Sequence, residues 1–308
     1  MNSIDVRDLT KVHGGKRAVD GLTFSVRPGK VTGFLGPNGS GKSTTLRLML
    51  GLDRPTRGTA TIAGTPYAAL DDPLRRVGAH LDPQSAHGSR TARNHLLTLA
   101  VSNRLPASRV DEVLSRTGLA SVARRRVRTF SLGMRQRLGI AAALLGDPAV
   151  VVLDEPANGL DPEGIIWIRE LMRHLAGEGR TVLVSSHLMT ETAGFADHLI
   201  VLGGGRLLAD APLGELLAGG APRTRVRTDH PARLAELLAA AGHRMVRAQE
   251  DGWTVEGVEA ARVGALAADG GVALLSLADE KPSLEEAYLA LTADSAEYTA
   301  LADPRQEV

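Results

Sequence analysis

A glycine-rich segment that ends in lysine and two hydroxyl residues is the part of this chain best suited to chemistry. It reads Gly36-Pro37-Asn38-Gly39-Ser40-Gly41-Lys42-Ser43-Thr44. The segment fits G-x-x-x-x-G-K-[ST], in which glycines let successive backbone N–H groups point at one anion. Lys42 supplies a compact cation for the β- and γ-phosphates, and the Ser43 hydroxyl is a ligand for Mg²⁺. The whole segment, through Thr44, is therefore predicted to bind a nucleoside triphosphate.

Two carboxylates that follow an apolar run form the second chemical feature. The run Val150-Val151-Val152-Leu153 leads directly into Asp154 and Glu155. An unbroken apolar run that ends in charge is typical of a central parallel strand. A strand that delivers an aspartate to the nucleotide's Mg²⁺ is the expected companion of a phosphate-binding loop. Glu155, next in the chain, is placed to orient or deprotonate an attacking water.

Strands and helices have to bring these groups together. Residues 31–35 precede the glycine segment as a short buried strand, and a helix begins at about Thr45. Apolar runs at 181–185 and 198–202 predict further strands, whereas helix spacing dominates from about 84 to 148. Strands that alternate with helices imply a mainly parallel sheet with its ligand at the carboxyl ends of the strands. The predicted class is thus α/β.

A second, smaller domain is predicted beyond a glycine- and alanine-rich linker at 214–222. After it, strands and helices alternate in the order strand, helix, strand, strand, helix, strand, with the last strand placed at 272–277. That order resembles a ferredoxin-like α+β unit. A final helix is expected over 283–292, since Ser283 and Glu286 have the spacing of a capping box.

Composition narrows the classes of protein that fit. The chain has 308 residues, a formal net charge of +1 and no cysteine. Disulfides, zinc–thiolate sites and thiol catalysis are excluded, and there is no global electrostatic case for a nucleic-acid partner. The start of the chain lacks the blocks of a signal peptide, and no apolar run approaches the ~20 residues that span a bilayer. We expect a cytoplasmic protein, and we interpret the basic run 124–128 as a solvated stretch.

The third chemical feature lies just ahead of the strand at 150–153. It reads Phe130-Ser131-Leu132-Gly133-Met134-Arg135-Gln136-Arg137. Its position, its Ser-x-Gly core and the following Gln-Arg resemble the signature of ABC transporter ATP-binding subunits. The other motifs follow in that family's order, with Gly159-Leu160-Asp161 where its D-loop lies and His187 where its switch histidine lies.

This resemblance implies a P-loop NTPase fold of the ABC ATPase type. It places an ATP-binding domain over 1–217, with a mixed, mainly parallel sheet and a helical subdomain over about 84–148. A ferredoxin-like accessory domain then covers 222–300, and a tail covers 301–308.

The resemblance also implies a mechanism. Two such units pair head to tail and trap ATP and Mg²⁺ between them, either as a homodimer or with a related ATPase subunit. Ser131 and Gly133 of one chain then contact the γ-phosphate bound by the other, while Glu155 polarises the water and His187 holds the γ-phosphate. Asp161 belongs to the same interface.

Three departures from the family pattern stand out. Asp82 occupies the place of the loop glutamine that reaches Mg²⁺, and Gln84 is the other candidate for that role. Leu132 and Met134 replace Gly and Gln of the usual signature, which looks like the bacitracin and lantibiotic-immunity branch of exporters. His13 stands where an aromatic residue stacks on adenine.

The leading hypothesis is an ATPase subunit that drives a separate integral membrane permease in the export of a drug, antibiotic or peptide. Such a subunit lies on the inner face of the membrane through its permease and binds no nucleic acid. The alternative is a soluble ABC ATPase that acts on ribosomes or nucleic acid. Its relatives generally have tandem units, coiled-coil insertions or zinc-binding cysteines. A kinase or GTPase leaves the signature and Asp161 without a role.

Overall fold

The computed structural model describes residues 2–218, 222–247, 252–280 and 283–293. The chain divides into two compact units, Met1–Leu213 and Gly214–Val308, at the start of the predicted linker. Linker residues 219–221, residues 294–300 of the predicted accessory domain and the predicted tail 301–308 lie outside the described residues.

The first unit contains strands β1 to β9 and helices α1 to α7. The strands are β1 Ile4–His13, β2 Lys16–Val26, β3 Val31–Leu35, β4 Arg57–Ile62, β5 Val77–His80, β6 Val150–Asp154, β7 Thr181–Ser186, β8 His198–Gly203 and β9 Arg206–Pro212. The helices are α1 Lys42–Met49, α2 Pro73–Arg76, α3 Ala92–Ser102, α4 Ser108–Arg116, α5 Leu132–Leu144, α6 Pro162–Gly177 and α7 Met189–Ala193.

Two sheets build the body of this unit. Six strands pair in the order β5-β6-β7-β3-β8-β9, of which all neighbours except β8 and β9 run parallel. Three antiparallel strands form the second sheet in the order β2-β1-β4. The mixed, mainly parallel sheet predicted for the fold class is therefore confirmed.

A single apolar cluster joins the two sheets. It includes Ile4 and Leu22 from the antiparallel sheet, Leu46 from α1, and Val152 from the centre of the parallel sheet. The central strands β3, β6 and β7 are buried along almost their whole length, which explains why they read as continuous apolar runs. The helix after the glycine segment is thereby fixed against the core.

Helices α3, α4 and α5 occupy the region from 84 to 148, where helix spacing predicts them. The Thr91 hydroxyl caps α3 by accepting from the Asn94 N–H at 3.2 Å. Ser131 does the same for α5, accepting from the Met134 N–H at 3.2 Å. No helix in the described part of the chain has both the length and the apolar character to span a membrane.

Three sequence expectations need correction. The family's glutamine-bearing loop is expected over residues 77–82, which include Asp82, but Val77–His80 is the edge strand β5, which pairs with β6. This strand is missed because it is short and includes Gly78. Strand β9, the antiparallel edge of the sheet, is also missed. The last strand of the second unit begins at Ser276 rather than Val272, because the Val272 N–H still donates to Ala267 O in the turn that ends the preceding helix.

The second unit contains strands β10 to β13 and helices α9 to α11, and helix α8 begins at Leu213, the last residue of the first unit. Their bounds are α8 Leu213–Ala218, β10 Arg223–Arg227, α9 Pro231–Ala240, β11 Arg244–Arg247, β12 Trp253–Glu256, α10 Ala260–Asp269, β13 Ser276–Glu280 and α11 Leu284–Ala293. The four strands form an antiparallel sheet in the order β11-β12-β10-β13, and Leu234, Leu238 and Val263 of its helices are buried with Val255. The predicted capping box of α11 is confirmed, with Ser283 and Glu286 exchanging hydrogen bonds of 3.2 and 3.1 Å.

Gly78 tests the packing of the edge strand. A methyl group there would lie 2.0 Å from the backbone oxygen of Ala143 on α5. We expect Gly78→Ala to lower the free energy of unfolding by about 1–3 kcal/mol, because helix and strand must separate to admit it. Urea denaturation followed by circular dichroism measures the change.

Gly177→Ala is the matched control for that substitution. It lies at the end of α6 with nothing within 4 Å of the added methyl group. We expect it to leave stability unchanged or slightly raised, since alanine favours helix. Equal losses from both substitutions would contradict the packing argument.

Candidate functional site

The glycine segment curls between β3 and α1, at the carboxyl end of the parallel sheet. Gly41 is the residue that caps α1, and Lys42 is the first residue of that helix. Lys42 is only 5% exposed, and its ammonium donates to Gly36 O at 2.5 Å and to Pro37 O at 3.3 Å. Burial lowers the pKa of Lys42, although the charges of Glu155 and Asp154 act in the opposite direction. The ammonium therefore lies inside the loop, facing both carboxylates.

Two glycines of the segment cannot carry a side chain. Gly41 has φ +99°, and an added Cβ would lie 2.5 Å from Ala18 O. At Gly36 an added Cβ would lie 2.4 Å from the Ser40 hydroxyl oxygen. Glycine at both positions thus allows the loop to follow this tight path, which ends at the N–H groups that begin α1.

Ser43 and Asp154 meet at the place expected for a metal. The Ser43 hydroxyl lies 3.0 Å from Asp154 Oδ2, and the Ser185 hydroxyl donates to Asp154 Oδ1. Hydroxyl and carboxylate oxygens suit Mg²⁺, which is usually held by one or two carboxylates together with substrate phosphates. Within the described ranges, no group of three or more His, Cys, Asp or Glu side chains gathers as a metal cage. The oxygens present fit a magnesium ion that arrives with a nucleotide.

Glu155 and His187 form a second pair beside this one. His187 Nδ1 lies 2.8 Å from Glu155 Oε2, which turns the other ring nitrogen away from the carboxylate. The Glu155 N–H donates to Ser185, at 3.2 Å to its carbonyl oxygen and 3.1 Å to its hydroxyl. Lys42, Asp154, Glu155 and His187 therefore surround one point at the ends of three neighbouring strands.

The segment with the Ser-x-Gly core lies at the exposed start of α5. Ser131 is exposed and caps the helix, and a methyl group on Gly133 would lie 3.0 Å from Gly159 O. The Leu132 side chain covers Gly159, where an added Cβ would lie 2.3 Å from Leu132 Cδ2. Asp161, two residues on, caps α6 by accepting from the Gly164 N–H at 2.8 Å. The start of α5 and the loop before α6 thus pack together within one chain.

Three other predicted residues make no hydrogen bond or ion pair with these groups in the described part of the chain. Asp82 and Gln84 are exposed after β5, where Asp82 Oδ1 accepts from the Gln84 N–H at 2.7 Å. His13 is exposed at the end of β1. Their contacts with metal and nucleotide stay predictions, and the structure does not favour Asp82 over Gln84. Of the remaining loop residues, Pro37, Asn38 and Gly39 are exposed, Ser40 is buried and Thr44 is half-buried.

Sequence reasoning assigned no role to Ser185, Gln136 or His80. The Ser185 hydroxyl donates to the Asp154 carboxylate and accepts from the Glu155 N–H. The sequence does hint at Ser185, because it ends an apolar run that pairs with the run before Asp154. Gln136 donates to Glu155 O at 3.0 Å and lies 2.5 Å from His80 Nε2. Burial lowers the pKa of His80, which favours the neutral imidazole. No sequence pattern predicts the contacts of Gln136 with Glu155 and His80.

Comparison with known proteins agrees with the geometry. The ABC transporter family matches residues 19–158, and a domain of unknown function (DUF8746) matches residues 222–285. The chain is 42% identical over 216 residues to the bacitracin transport ATP-binding protein BcrA of Bacillus licheniformis, covering 69% of this chain and 71% of that one. It is 38% identical to the Nod factor export ATP-binding protein I of Rhizobium etli, covering 68% of each chain.

A solved structure is similar as well. It is the dimer of an ATP-binding cassette in a post-hydrolysis state with ADP and Pi, with a TM-score of 0.62 and 26% identity. The match covers 68% of this chain and 98% of that one.

Gly41 provides a test of the loop. Gly41→Ala forces an L-residue into φ +99° and against Ala18 O, so the loop has to deform. A strain of this kind costs about 1–3 kcal/mol. We expect the affinity for MgATP, measured by calorimetry, to fall by about tenfold or more.

Gly15→Ala is the matched control for the loop. It has a similar φ of +85°, nothing lies within 4 Å of the added methyl group, and it is outside the loop. It should keep its affinity for MgATP. A Gly41→Ala protein that binds as tightly as Gly15→Ala would show that the loop does not hold the phosphates.

Proposed function

This chain belongs to the family of ABC transporter ATP-binding proteins, and from that membership we propose that it hydrolyses ATP to power export through a separate membrane permease. The observation that carries the proposal is the convergence of Lys42, Asp154, Glu155 and His187 at the ends of β3, β6 and β7. Each of these groups has a distinct role in phosphoryl transfer to water.

The phosphate loop and the Ser43–Asp154 pair bind and orient the nucleotide. Backbone N–H groups of the glycine-rich loop would surround the phosphates, and Lys42 would offset negative charge on the β- and γ-phosphates. Ser43 and Asp154, 3.0 Å apart, would hold Mg²⁺. When bound, the ion neutralises charge that builds up on the phosphate oxygens.

Glu155 is the general base in this proposal. Its carboxylate would take the proton of a water molecule in line with the γ-phosphate. His187 is held through Nδ1 at 2.8 Å from Glu155 Oε2, so it would keep the carboxylate oriented and would contact that phosphate through Nε2. In this proposal Asp154 binds the metal ion, whereas Glu155 deprotonates the water.

A second copy, or a related subunit, completes each site. Ser131 and Gly133 lie at the exposed start of α5, a helix terminus suited to an anion. They would contact the γ-phosphate bound by the partner, with Asp161 in the adjoining interface and His13 against the adenine. The solved cassette with ADP and Pi is a dimer, which supports the pairing of two units.

The names of the relatives support the direction and class of transport. One is a bacitracin transport protein, and another is a Nod factor export protein. An antibiotic, drug or peptide is therefore the proposed class of cargo. The protein would lie on the inner face of the membrane, attached to its permease.

Glu155→Gln tests the role of the base. The amide keeps the shape of the side chain but cannot accept the water's proton, so we expect the hydrolysis rate to fall by about 10²- to 10⁴-fold. ATP binding should persist, and size-exclusion chromatography with MgATP should show an accumulated dimer. Glu170→Gln, exposed on α6, is the control and should hydrolyse ATP normally. An unchanged rate in Glu155→Gln would refute the assignment.

Cell fractionation tests the partner. We expect the chain to sediment with membranes when it is expressed with its permease, and to stay in the supernatant without it. The family also contains the alternative class, soluble ATPases that act on ribosomes or nucleic acid. Recovery with ribosomes or DNA in both conditions would favour that class and overturn the export proposal.

A further inference from the structure

Gln136 donates a hydrogen bond to the main-chain carbonyl of Glu155, and His80 in turn contacts the Gln136 side chain. We propose that they are positioning residues, which fix the Glu155 carboxylate through its backbone and connect it to the helix that carries Ser131 and Gly133. This inference rests on the proposed role of Glu155 as the base.

The two side chains form one buried chain of hydrogen bonds. Gln136 is 1% exposed and His80 is 3% exposed. The Gln136 amide N–H donates to Glu155 O at 3.0 Å, which turns its Oε1 toward His80 Nε2 at 2.5 Å. The imidazole must therefore donate at Nε2. Each partner fixes the orientation of the next, because a buried amide that lost either contact would leave a polar group unsatisfied.

Glu155 needs such support because its backbone is strained. It has φ +49°, a conformation that non-glycine residues adopt at a cost and keep only when their surroundings over-determine it. Its N–H is held by Ser185, and its carbonyl accepts from Gln136 and, at 3.2 Å, from the Asn158 N–H. The Asn158 contact belongs to the local turn. Gln136 is the donor that reaches Glu155 from a distant element.

Helix α5 joins this contact to the exposed Ser-x-Gly segment. Ser131 caps the helix, Gly133 lies in its first turn, and Gln136 lies one turn further on. Gly139, the next turn along, makes room for His80, because a methyl group there would lie 2.1 Å from the imidazole Cε1. A shift of the helix start would therefore move the Glu155 carbonyl. In the proposed dimer, engagement of one chain's Ser131 by the partner's nucleotide would adjust that chain's own base.

The ordinary alternative is that the buried pair only stabilises the fold. That role predicts lower stability and weaker ATP binding, with an effect on rate that does not depend on the base. A positioning role predicts a lower kcat at unchanged KM, and no effect once the base is absent.

Gln136→Met and His80→Leu remove the hydrogen bonds with little change in volume. In full-length chain with MgATP, we expect each to lower kcat by about 10- to 100-fold, as for a misplacement of about 1 Å, with KM unchanged. His80→Gln keeps a donor that reaches Gln136 and should restore most of the rate. Thr117→Val is the control, since it removes a buried hydrogen bond from Thr117 to Val113 O that does not reach Glu155. It should hydrolyse ATP normally.

A double-mutant cycle with Glu155→Gln separates the two roles. Gln136→Met should cost no further rate in the Glu155→Gln background. Additive losses, a raised KM, or His80→Gln behaving like His80→Leu would overturn the inference. Wild-type rates in both Gln136→Met and His80→Leu would overturn it too, and would leave the proposed ATPase function intact. An inactive wild-type chain with MgATP would instead refute that function.

Discussion

The register of three adjacent parallel strands determines where the reacting groups of this protein lie. β3 pairs with β7 so that Leu35 lies opposite Ser186, and β6 pairs with β7 so that Asp154 lies opposite Ser185. The carboxyl ends of these strands are therefore aligned, which brings together the phosphate loop, the two carboxylates and His187. A slip of one residue in a strand would turn its side chains to the other face. Burial of the apolar residues in these strands fixes that register. The positions of the reacting groups therefore depend on the packing of the core.

Much of this arrangement could be predicted from the sequence. The apolar runs before Asp154 and before His187 clearly predict buried strands. The mainly parallel sheet follows from these runs, and the ABC family follows from the motifs. The bacitracin-branch resemblance, drawn from Leu132 and Met134, agrees with the 42% identity to a bacitracin transport protein. The start of the second unit at Gly214 also coincides with a change in composition.

The rest depends on contacts between residues far apart in the chain. Strand β5 has four residues and a glycine, so its pairing with β6 leaves no periodic trace. The motif places Asp161 at the interface between two units, but it does not indicate that the Asp161 carboxylate caps α6. Gln136 and His80 are 56 positions apart and meet only because α5 packs on β5. A motif indicates which residues do chemistry, whereas the groups that hold them are set by packing.

The cap formed by Ser131 bears on how the start of α5 could bind a phosphate from a second copy. Its hydroxyl already accepts the Met134 N–H, one of the unpaired donors at the start of α5. A phosphate oxygen from a second copy would accept from the same end of the helix. The serine pairs only one of those donors, so a phosphate oxygen would accept from the others and the cap would stay in place on closure.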